Sequence, residues 1–400
     1  MTIDHDFSSV PLVGGADYQL RTRLVHGPGT LSRLGEMAKS LGASRALLVT
    51  DPGILAAGHA GRGEVYLREA GLEVSIFDGA RENPTTDDVQ RGVVHAQSFE
   101  PDLIVGLGGG SSMDCAKGIN FILSNGGQIR DYWGIDKATA PMLPLVAVPT
   151  TAGTGSEMQS FALISDAVTH VKMACGDKKA CAKVAILDPE LTITQPARVT
   201  ALTGIDALSH AIETFVSTKK NLISRMFSRE AFRLLSGAIE IVLRTPHDLG
   251  ARAAMQMGAC LAGMAIESSM LGAAHALANP LTARFGTAHG QAVGLMLPHV
   301  VRYNAEQFEG EYVDLMRSFA ATLERDNDSK PTHLAGSDFL AQWLSSVLRK
   351  AGLATDLREL GVAENDLPEL AAAAAPQWTG TFNPRKVDAG ILAQLYDRAL

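Results

Sequence analysis

Short apolar runs alternate with helical stretches through the first half of the sequence, and this alternation constrains the fold more than any other feature. The aliphatic runs are residues 46–51, 72–77, 103–107, 143–148 and 184–187. Stretches with helical spacing lie between several of them, for example residues 85–99 and 112–123. Apolar strands separated by helices predict a parallel sheet with both faces covered.

The strand pattern stops after Pro196, and the apolar spacing becomes helical. Helical spacing covers residues 201–216, 223–243, 249–269 and 339–351. A chain of 400 residues is also long for one core. We therefore predict an α/β domain with a Rossmann-like parallel sheet over residues 1–196, followed by an all-α domain over residues 197–400.

Composition narrows the classes of partner. A net charge of −8 leaves no basic surplus for nucleic acid or an anionic membrane, so neither is expected as a partner. The four cysteines form no Cys-x-x-Cys pair, which favours reduced thiols in a cytoplasmic protein. The opening MTIDHDFSSV does not have the pattern of a signal peptide. The most apolar segment, residues 255–281, contains Glu267 and His275, which favours a buried helix pair over a membrane span.

A glycine-rich turn follows one predicted strand in LIVGLGGGS, residues 103–111. Glycines allow close approach of the backbone, and the exposed N–H groups of a following helix bind anions. The turn is therefore a candidate pyrophosphate cradle. It is not the ordinary dinucleotide fingerprint, which requires glycine where this sequence has Ser111. A glycine turn with a purely structural role is about as common as one that binds a phosphate.

Two further features follow predicted strands. The segment VPTTAGTGSE, residues 148–157, offers hydroxyls and glycines to a cofactor, although taken alone it is better explained as a turn. Asp51 ends the run at residues 46–51. A carboxylate there can hold the ribose 2′-hydroxyl of NAD and repel the 2′-phosphate of NADP. Here it precedes the glycine turn, whereas the usual Rossmann acid follows it.

Four residues in the second half have the chemistry of a metal site. Asp206 and His210 are four residues apart and share a helix face. His275 and His289 lie fourteen residues apart. Three imidazoles and one carboxylate suit zinc or iron(II) better than calcium or magnesium. A single histidine, such as His299 in LMLPHVV, is better explained as a core residue. On spacing alone, a metal site and an ordinary buried cluster explain the four residues equally well.

The spacing of His275 and His289 sets a geometric condition. On one straight helix their positions would lie about 21 Å apart, too far to share an ion. Pro280, Gly286 and Gly290 interrupt the segment. We therefore expect His275 to end one helix and His289 to begin another element.

Taken together, these motifs resemble the iron-dependent (group III) alcohol dehydrogenases almost from end to end. The matching motifs are VHGPG (25–29), LLVTD (47–51), ENPT (82–85), GLGGGSSMDCAK (106–117), VPTTAGTGSE (148–157), LTGIDALSHAIE (202–213), HALANPL (275–281), TAHG (287–290), LPHVVRYN (297–304) and NPR (383–385). The resemblance implies a dinucleotide-binding α/β domain, an all-helical metal-binding domain, an active site in the cleft between them, and a homodimer.

The resemblance also implies roles for individual residues. The metal ligands, for Fe(II) or Zn, are Asp206, His210, His275 and His289. The positions that line NAD are Asp51, Asn83, Gly109, Gly110, Ser111, Asp114, Thr150, Thr151, Thr154 and Lys172. An aspartate at position 51 goes with NAD in the family, in agreement with the repulsion of a 2′-phosphate.

One position departs from the family pattern. The family has His-x-x-x-His from position 275, and its second histidine is often assigned to a proton relay, whereas this chain has Asn279. An amide does not titrate near neutral pH, so Asn279 can orient a water or substrate but cannot act as an acid or base. Either the proton leaves through ribose hydroxyls and water, or the substrate is not a simple primary alcohol.

The predicted function is hydride transfer between an alcohol, or the matching aldehyde or ketone, and NAD, with the metal as Lewis acid. A specialised aldehyde or keto reductase, or a metal-free reductase, of the same family is one alternative. A dehydroquinate-synthase-like cyclase or lyase is another, for which Lys172, Lys178, Lys179 and Arg284 are candidate basic residues. A catalytically inactive binding protein has little support, because all four ligand positions are filled.

Overall fold

The structure is a computed structural model that describes residues 18–169, 171–323 and 336–400. The strands are β1 (Arg23–His26), β2 (Arg45–Val49), β3 (Glu73–Phe77), β4 (Leu103–Gly108), β5 (Gly134–Ile135), β6 (Leu145–Pro149), β7 (Phe161–Ser165), β8 (Lys172–Gly176) and β9 (Val184–Leu187). The helices are α1 (Leu34–Ser40), α2 (Pro52–Ala56), α3 (His59–Glu69), α4 (Thr86–Gln97), α5 (Gly110–Asn125), α6 (Ala197–Val216), α7 (Leu222–Arg244), α8 (Leu249–Ser269), α9 (Ala273–Phe285), α10 (His289–Leu323), α11 (Ser337–Lys350), α12 (Leu367–Ala374) and α13 (Ala389–Ala399). Helix α10 bends at Phe308, whose backbone is not helical.

Six strands form one sheet in the order β1-β9-β6-β4-β2-β3, and every described pairing in it is parallel. Side chains alternate between its faces, so Leu47 and Ile104 join one apolar cluster while Leu48 and Val105 join another. Both faces are therefore covered, and the predicted parallel sheet is confirmed.

A second sheet, in the order β5-β8-β7, was not predicted. Strands β7 and β8 are antiparallel, and Phe161 lies opposite Gly176. The strands of this sheet are two to five residues long.

All the described strands lie before Asp188, and helices account for the regular structure from Ala197 onwards apart from short 3-10 turns. The predicted fold class, an α/β region followed by a helical region, is confirmed. By contacts the chain divides into two units: one contains Leu20–Thr203 and Ile241–Gly263, the other Gly204–Glu240 and Met264–Leu400. The domain limits 1–196 and 197–400 remain a prediction.

Helix α8 is long and apolar enough to cross a membrane by length and composition. However, 67% of its most apolar window is buried inside the protein, as in the core helix of a soluble fold. Residues 255–281, predicted to form a buried helix pair, fall in α8 and α9.

The sheet brings three carboxyl ends of strands side by side. Strand β4 pairs with β2 on one side and β6 on the other. Asp51 follows β2, the glycine turn follows β4, and Thr150 follows β6; the Thr150 N–H donates to the Gly108 carbonyl at 2.9 Å. Ligands of open α/β sheets bind at this edge.

Candidate metal and cofactor sites

Helix α6 places titratable side chains inside the protein. Every residue from 204 to 217 is buried, so this part of the chain is enclosed on all sides. Asp206 and His210 are each 5% exposed and lie one turn apart. The His210 Nε2 atom is 3.4 Å from Asp206 Oδ1. Burying such groups is costly unless they are paired or bind an ion.

Two further histidines reach the same carboxylate oxygen. His275 on α9 places Nε2 3.6 Å from Asp206 Oδ1, and His289, the first residue of α10, places Nε2 3.8 Å from it. The ring centroid of His275 lies 4.9 Å from that of His210 and 5.3 Å from that of His289. The four residues named from the sequence therefore come together.

The donor set fits a divalent transition ion. Asp206, His210 and His275 offer ligand atoms that all lie within 4.8 Å of one another. Two atoms bound to one ion at ordinary zinc distances are about 3.0 to 3.5 Å apart, close to the observed spacings. Asp206 Oδ1 and His275 Nε2 are buried, and neither has a hydrogen-bond partner within the described residues. An ion between them would satisfy both.

The charges in this site oppose the effect of burial. Burial alone would raise the pKa of Asp206, but His210, His275 and His289 hold the pKa of that carboxyl well below its usual range. Burial alone would lower the pKa of His275, but Glu213 and Asp206 raise it to about 9. The metal-free site therefore holds protons, and binding of a cation releases them.

The helix boundaries near these ligands differ from the expectation. His275 lies near the start of α9 and does not end a helix, so that expectation is wrong, whereas His289 does begin α10. Pro280 lies inside α9 and does not interrupt it. The helix ends at Gly286, which is left-handed with φ 64°. The hydroxyl of buried Tyr396 donates to the Leu277 carbonyl at 2.6 Å, three residues before Pro280.

A buried carboxylate outside the predicted set completes the surroundings of the site. Glu213 is 3% exposed and lies seven residues after Asp206 on α6. Its Oε2 atom is 2.5 Å from His275 Nδ1. The spacing of Asp206, His210 and Glu213 at i, i+4 and i+7 is the sequence signal that could have revealed it, because those positions share a helix face.

Asn279 lies one turn after His275 on α9 and is partly buried. Its Nδ2 atom donates to Gln377 Oε1 at 2.9 Å. The amide is thus held by a second amide, and its predicted role in orienting substrate stays a prediction.

The glycine turn of the other unit has the form of an anion cradle. Helix α5 begins at Gly110 after Gly109, and no side chain within the described residues caps it. A Cβ atom at Gly110 would lie 2.6 Å from Thr154 Cγ2, and one at Gly109 would lie 3.3 Å from Thr151 Cγ2. A side chain at Gly110 would clash with Thr154 and one at Gly109 would press on Thr151, whereas with glycine the uncapped N–H groups remain open to a phosphate.

Asp51 lies beside this turn. Its Oδ1 accepts from the Ile54 N–H at 3.0 Å, as the cap of α2, and its Oδ2 accepts from the Ser112 hydroxyl at 3.0 Å. A Cβ atom at Gly108 would lie 3.3 Å from Oδ2. These contacts fix the carboxylate and leave lone pairs for a further donor.

Residues 148–157, the threonine segment, are held against α5 by a buried lysine for which no role was predicted from the sequence. Lys117 is 0% exposed, and its Nζ atom donates to the carbonyls of Ser156, Gln159 and Phe161 at 2.7, 2.8 and 2.9 Å. The Ser156 hydroxyl donates to Asp114 Oδ1 at 2.8 Å. Burial raises the pKa of Asp114.

The same segment is held on its other side by α8. A Cβ atom at Gly155, whose φ is 64°, would lie 2.6 Å from the Gly263 Cα atom. The two backbones are therefore in direct contact. Thr150, at the start of the segment, is 2% exposed, and its Oγ1 has no hydrogen-bond partner within the described residues.

Three other predicted cofactor positions contact one another. The Asn83 N–H donates to Ser111 Oγ at 3.3 Å, and Lys172 Nζ donates to Asn83 Oδ1 at 3.5 Å. Asn83 has φ 53°, a conformation that non-glycine residues seldom adopt. The structure thus brings these residues together; their contact with a cofactor stays a prediction.

Comparison with known proteins identifies relatives of the whole chain. The family described as iron-containing alcohol dehydrogenase matches residues 21–189, and the family described as Fe-containing alcohol dehydrogenase, C-terminal, matches residues 200–400. The 1,3-propanediol dehydrogenase of Klebsiella pneumoniae is 35% identical over 385 residues, 96% of this chain and 98% of that protein.

Two more relatives also match nearly the whole chain. The NAD-dependent methanol dehydrogenase of Bacillus methanolicus is 34% identical over 376 residues, 94% of this chain and 97% of that protein. The crystal structure of a 1,3-propanediol oxidoreductase matches with a TM-score of 0.89 and 34% identity, covering 96% of this chain and 99% of that chain. The predicted family and the predicted class of function, metal-dependent oxidoreduction of alcohols and aldehydes, are confirmed. The chain belongs to the iron-containing alcohol dehydrogenase family.

Proposed function

We propose that this chain transfers a hydride between a small alcohol, or the corresponding aldehyde or ketone, and NAD, with a divalent iron or zinc ion held by Asp206, His210, His275 and His289. The convergence of three imidazole nitrogens on one buried carboxylate oxygen carries the proposal. When bound, the ion would supply a Lewis acid for the substrate oxygen.

The four side chains would hold that ion in a site with little solvent. Asp206, His210 and His275 are each at most 5% exposed, whereas the His289 side chain is 28% exposed. The site is thus closed on three sides and open near His289. A substrate oxygen would approach the proposed ion from the side of His289.

NAD is proposed as the cofactor, and when bound it would accept or donate the hydride. The Asp51 carboxylate beside the glycine turn supports NAD over NADP, because a 2′-phosphate there would meet a negative charge. The name of the Bacillus methanolicus relative, an NAD-dependent enzyme, supports the same choice. Gly109, Gly110 and the start of α5 would hold the pyrophosphate.

Asn279 is proposed to orient the substrate or a water. Its amide carries no titratable proton, so the proton released on alcohol oxidation leaves by another route. The hydrogen bond to Gln377 fixes the amide, which suits a positioning role.

The cyclase alternative has less support from the charges. Such an enzyme needs free basic groups for an acidic substrate, but Lys179 pairs with Asp177 at 2.8 Å. Arg284 pairs with Asp366 at 2.8 Å and also with Glu369. Two of the four basic candidates are therefore neutralised.

The proposal includes a cytoplasmic homodimer without nucleic-acid or membrane partners. All four cysteines are buried, and Cys115, Cys175 and Cys260 are free thiols, which supports a reducing compartment. Light scattering coupled to size exclusion would measure the assembly.

Metal depletion and restoration test the function. Depleted protein is expected to form no NADH from a panel of small alcohols and to recover when Fe(II) or Zn(II) is added. His275→Ala should stay inactive under both conditions, whereas His247→Ala, which removes an exposed imidazole, should behave as wild type. Turnover by metal-free protein would refute the metal assignment, and the absence of net NADH with every alcohol would favour the cyclase.

A further inference from the structure

Glu213 gathers three donors at the start of the helix that carries His275. Its Oε2 accepts from the Gly272 N–H at 3.0 Å, and its Oε1 accepts from the Ala274 N–H at 2.7 Å. Oε2 also lies 2.5 Å from His275 Nδ1. One carboxylate on α6 therefore binds both the backbone and the ligand side chain of α9.

These contacts replace a local helix cap. Helix α9 starts after Gly272, which has no side chain to cap it. The Ala273 N–H donates to Asn383 Oδ1 at 3.4 Å, so two distant residues share the role. A Cβ atom at Gly272 would lie 2.9 Å from Glu213 Oε1, so a larger residue there would displace the Glu213 carboxylate. A negative charge here also suits the positive end of the helix dipole.

The carboxylate also decides which nitrogen of His275 carries the proton. Because Nδ1 faces Glu213, that nitrogen donates, and Nε2 is the nitrogen left to release its proton and bind an ion. Nε2 faces Asp206 Oδ1 at 3.6 Å, where a metal would bind. Nδ1 and Nε2 are on different sides of the ring, so Glu213 lies away from the ion and is not itself a ligand.

We propose that Glu213 is a positioning residue for the metal: it caps α9 and fixes His275 in the orientation and tautomer that ligate. The inference rests on the proposed function only in requiring that these four residues bind a metal. A carboxylate behind a ligating histidine raises the basicity of the imidazole and restricts its rotation.

Glu213→Gln tests this role with little change of shape. A glutamine has a single acceptor oxygen, so its amide nitrogen must face one of the three donors. The dissociation constant for zinc, measured by competition with a chromophoric chelator, is expected to rise about 10- to 100-fold. The unfolding midpoint of the metal-free protein is measured in parallel.

Asn383→Ala is the matched control, because it removes the other cap of α9 without touching His275. It should lower the unfolding midpoint of the metal-free protein while the zinc affinity stays at the wild-type value. Equal losses of zinc affinity in both variants would overturn the proposal and leave only a structural cap.

A measurement on the wild type keeps the proposal testable if a variant fails to fold. Nitrogen-15 spectra of the zinc-loaded protein should show His275 protonated at Nδ1, and the opposite tautomer would overturn the proposal. If the wild type binds zinc and Glu213→Gln binds it equally well, the role of Glu213 fails alone. If the wild type binds no zinc, the metal assignment fails with it.

Discussion

Replacing Lys117 by methionine is expected to destabilise the unit that contains the glycine turn. The side chain is 0% exposed, and Nζ donates to three backbone carbonyls, those of Ser156, Gln159 and Phe161. Methionine keeps most of the apolar stem and removes the ammonium group. Three carbonyls then lose a charged donor in a place with little water.

The size of the effect follows from these contacts. A buried acceptor left without a partner costs about 1 to 3 kcal/mol, so three cost about 3 to 9 kcal/mol. Removing the ammonium also removes its own desolvation penalty of several kcal/mol. The net loss in the free energy of unfolding is therefore expected to be about 1 to 5 kcal/mol, and its upper part would be exceptional for a single substitution. The nearby Asp114 and Glu157 would also lose a cation that lowers their pKa values.

Urea unfolding of Lys117→Met and wild type would measure this loss, and NAD titration would show weaker binding because Ser156 belongs to the threonine segment. Lys39→Met, on the exposed side of α1, is the matched control and should lie within about 0.5 kcal/mol of wild type. If Lys117→Met unfolds at the same urea concentration as Lys39→Met, the reasoning about the buried carbonyls is wrong.

Substitutions at three other residues test their individual roles. Burial raises the pKa of Glu157 from its ordinary 4.5 to about 7, so the folded state keeps a proton that the unfolded chain releases, and stability falls as pH rises through that range. Glu157→Gln should therefore be near neutral at about pH 5 but stabilising by about 3 kcal/mol at about pH 8, and an unfolding free-energy difference that does not vary with pH would contradict this. Asp51→Gly should raise the NADP-to-NAD ratio of kcat/KM on the order of tenfold, since about 1.4 kcal/mol of repulsion is removed. Asp51→Asn keeps an oxygen for the cap of α2 and so separates the effect of the charge from that of the cap. A wild type that prefers NADP would disprove the argument. Asn279→His should add an ionisation near pH 6.5 to the pH profile of kcat/KM, which an unchanged profile would rule out.

Local pattern was sufficient to predict the sheet and the glycine turn. The aliphatic runs at residues 46–51 and 103–107 correspond to β2 and β4, because a buried parallel strand needs apolar side chains on both faces. Strands β7 and β8 were not predicted. They pair with each other in an antiparallel hairpin, and β7 packs against α5, neither of which local periodicity indicates.

The four proposed metal ligands could be named from the sequence, but the path of the chain between them could not be predicted. Helix α9 carries the chain about 15 Å beyond His275, and the residues after Gly286 return it to His289. Pro280 suggests a break at that point, yet the helix continues through it. Tyr396, more than a hundred residues away in sequence, donates a hydrogen bond to the Leu277 carbonyl of the same helix. The proposed role of Glu213 likewise depends on the hydrogen bonds that the Gly272 and Ala274 N–H groups donate to it. No local sequence motif predicts these contacts.

The contact of Gly155 with Gly263 limits how this protein can diverge. Neither position has room for even a methyl group unless the chain bearing Thr154 moves away from α8. Enlarging either residue would therefore shift the threonine that covers Gly110. Among relatives, a bulkier residue at one of these two places should mark proteins in which the dinucleotide is held differently.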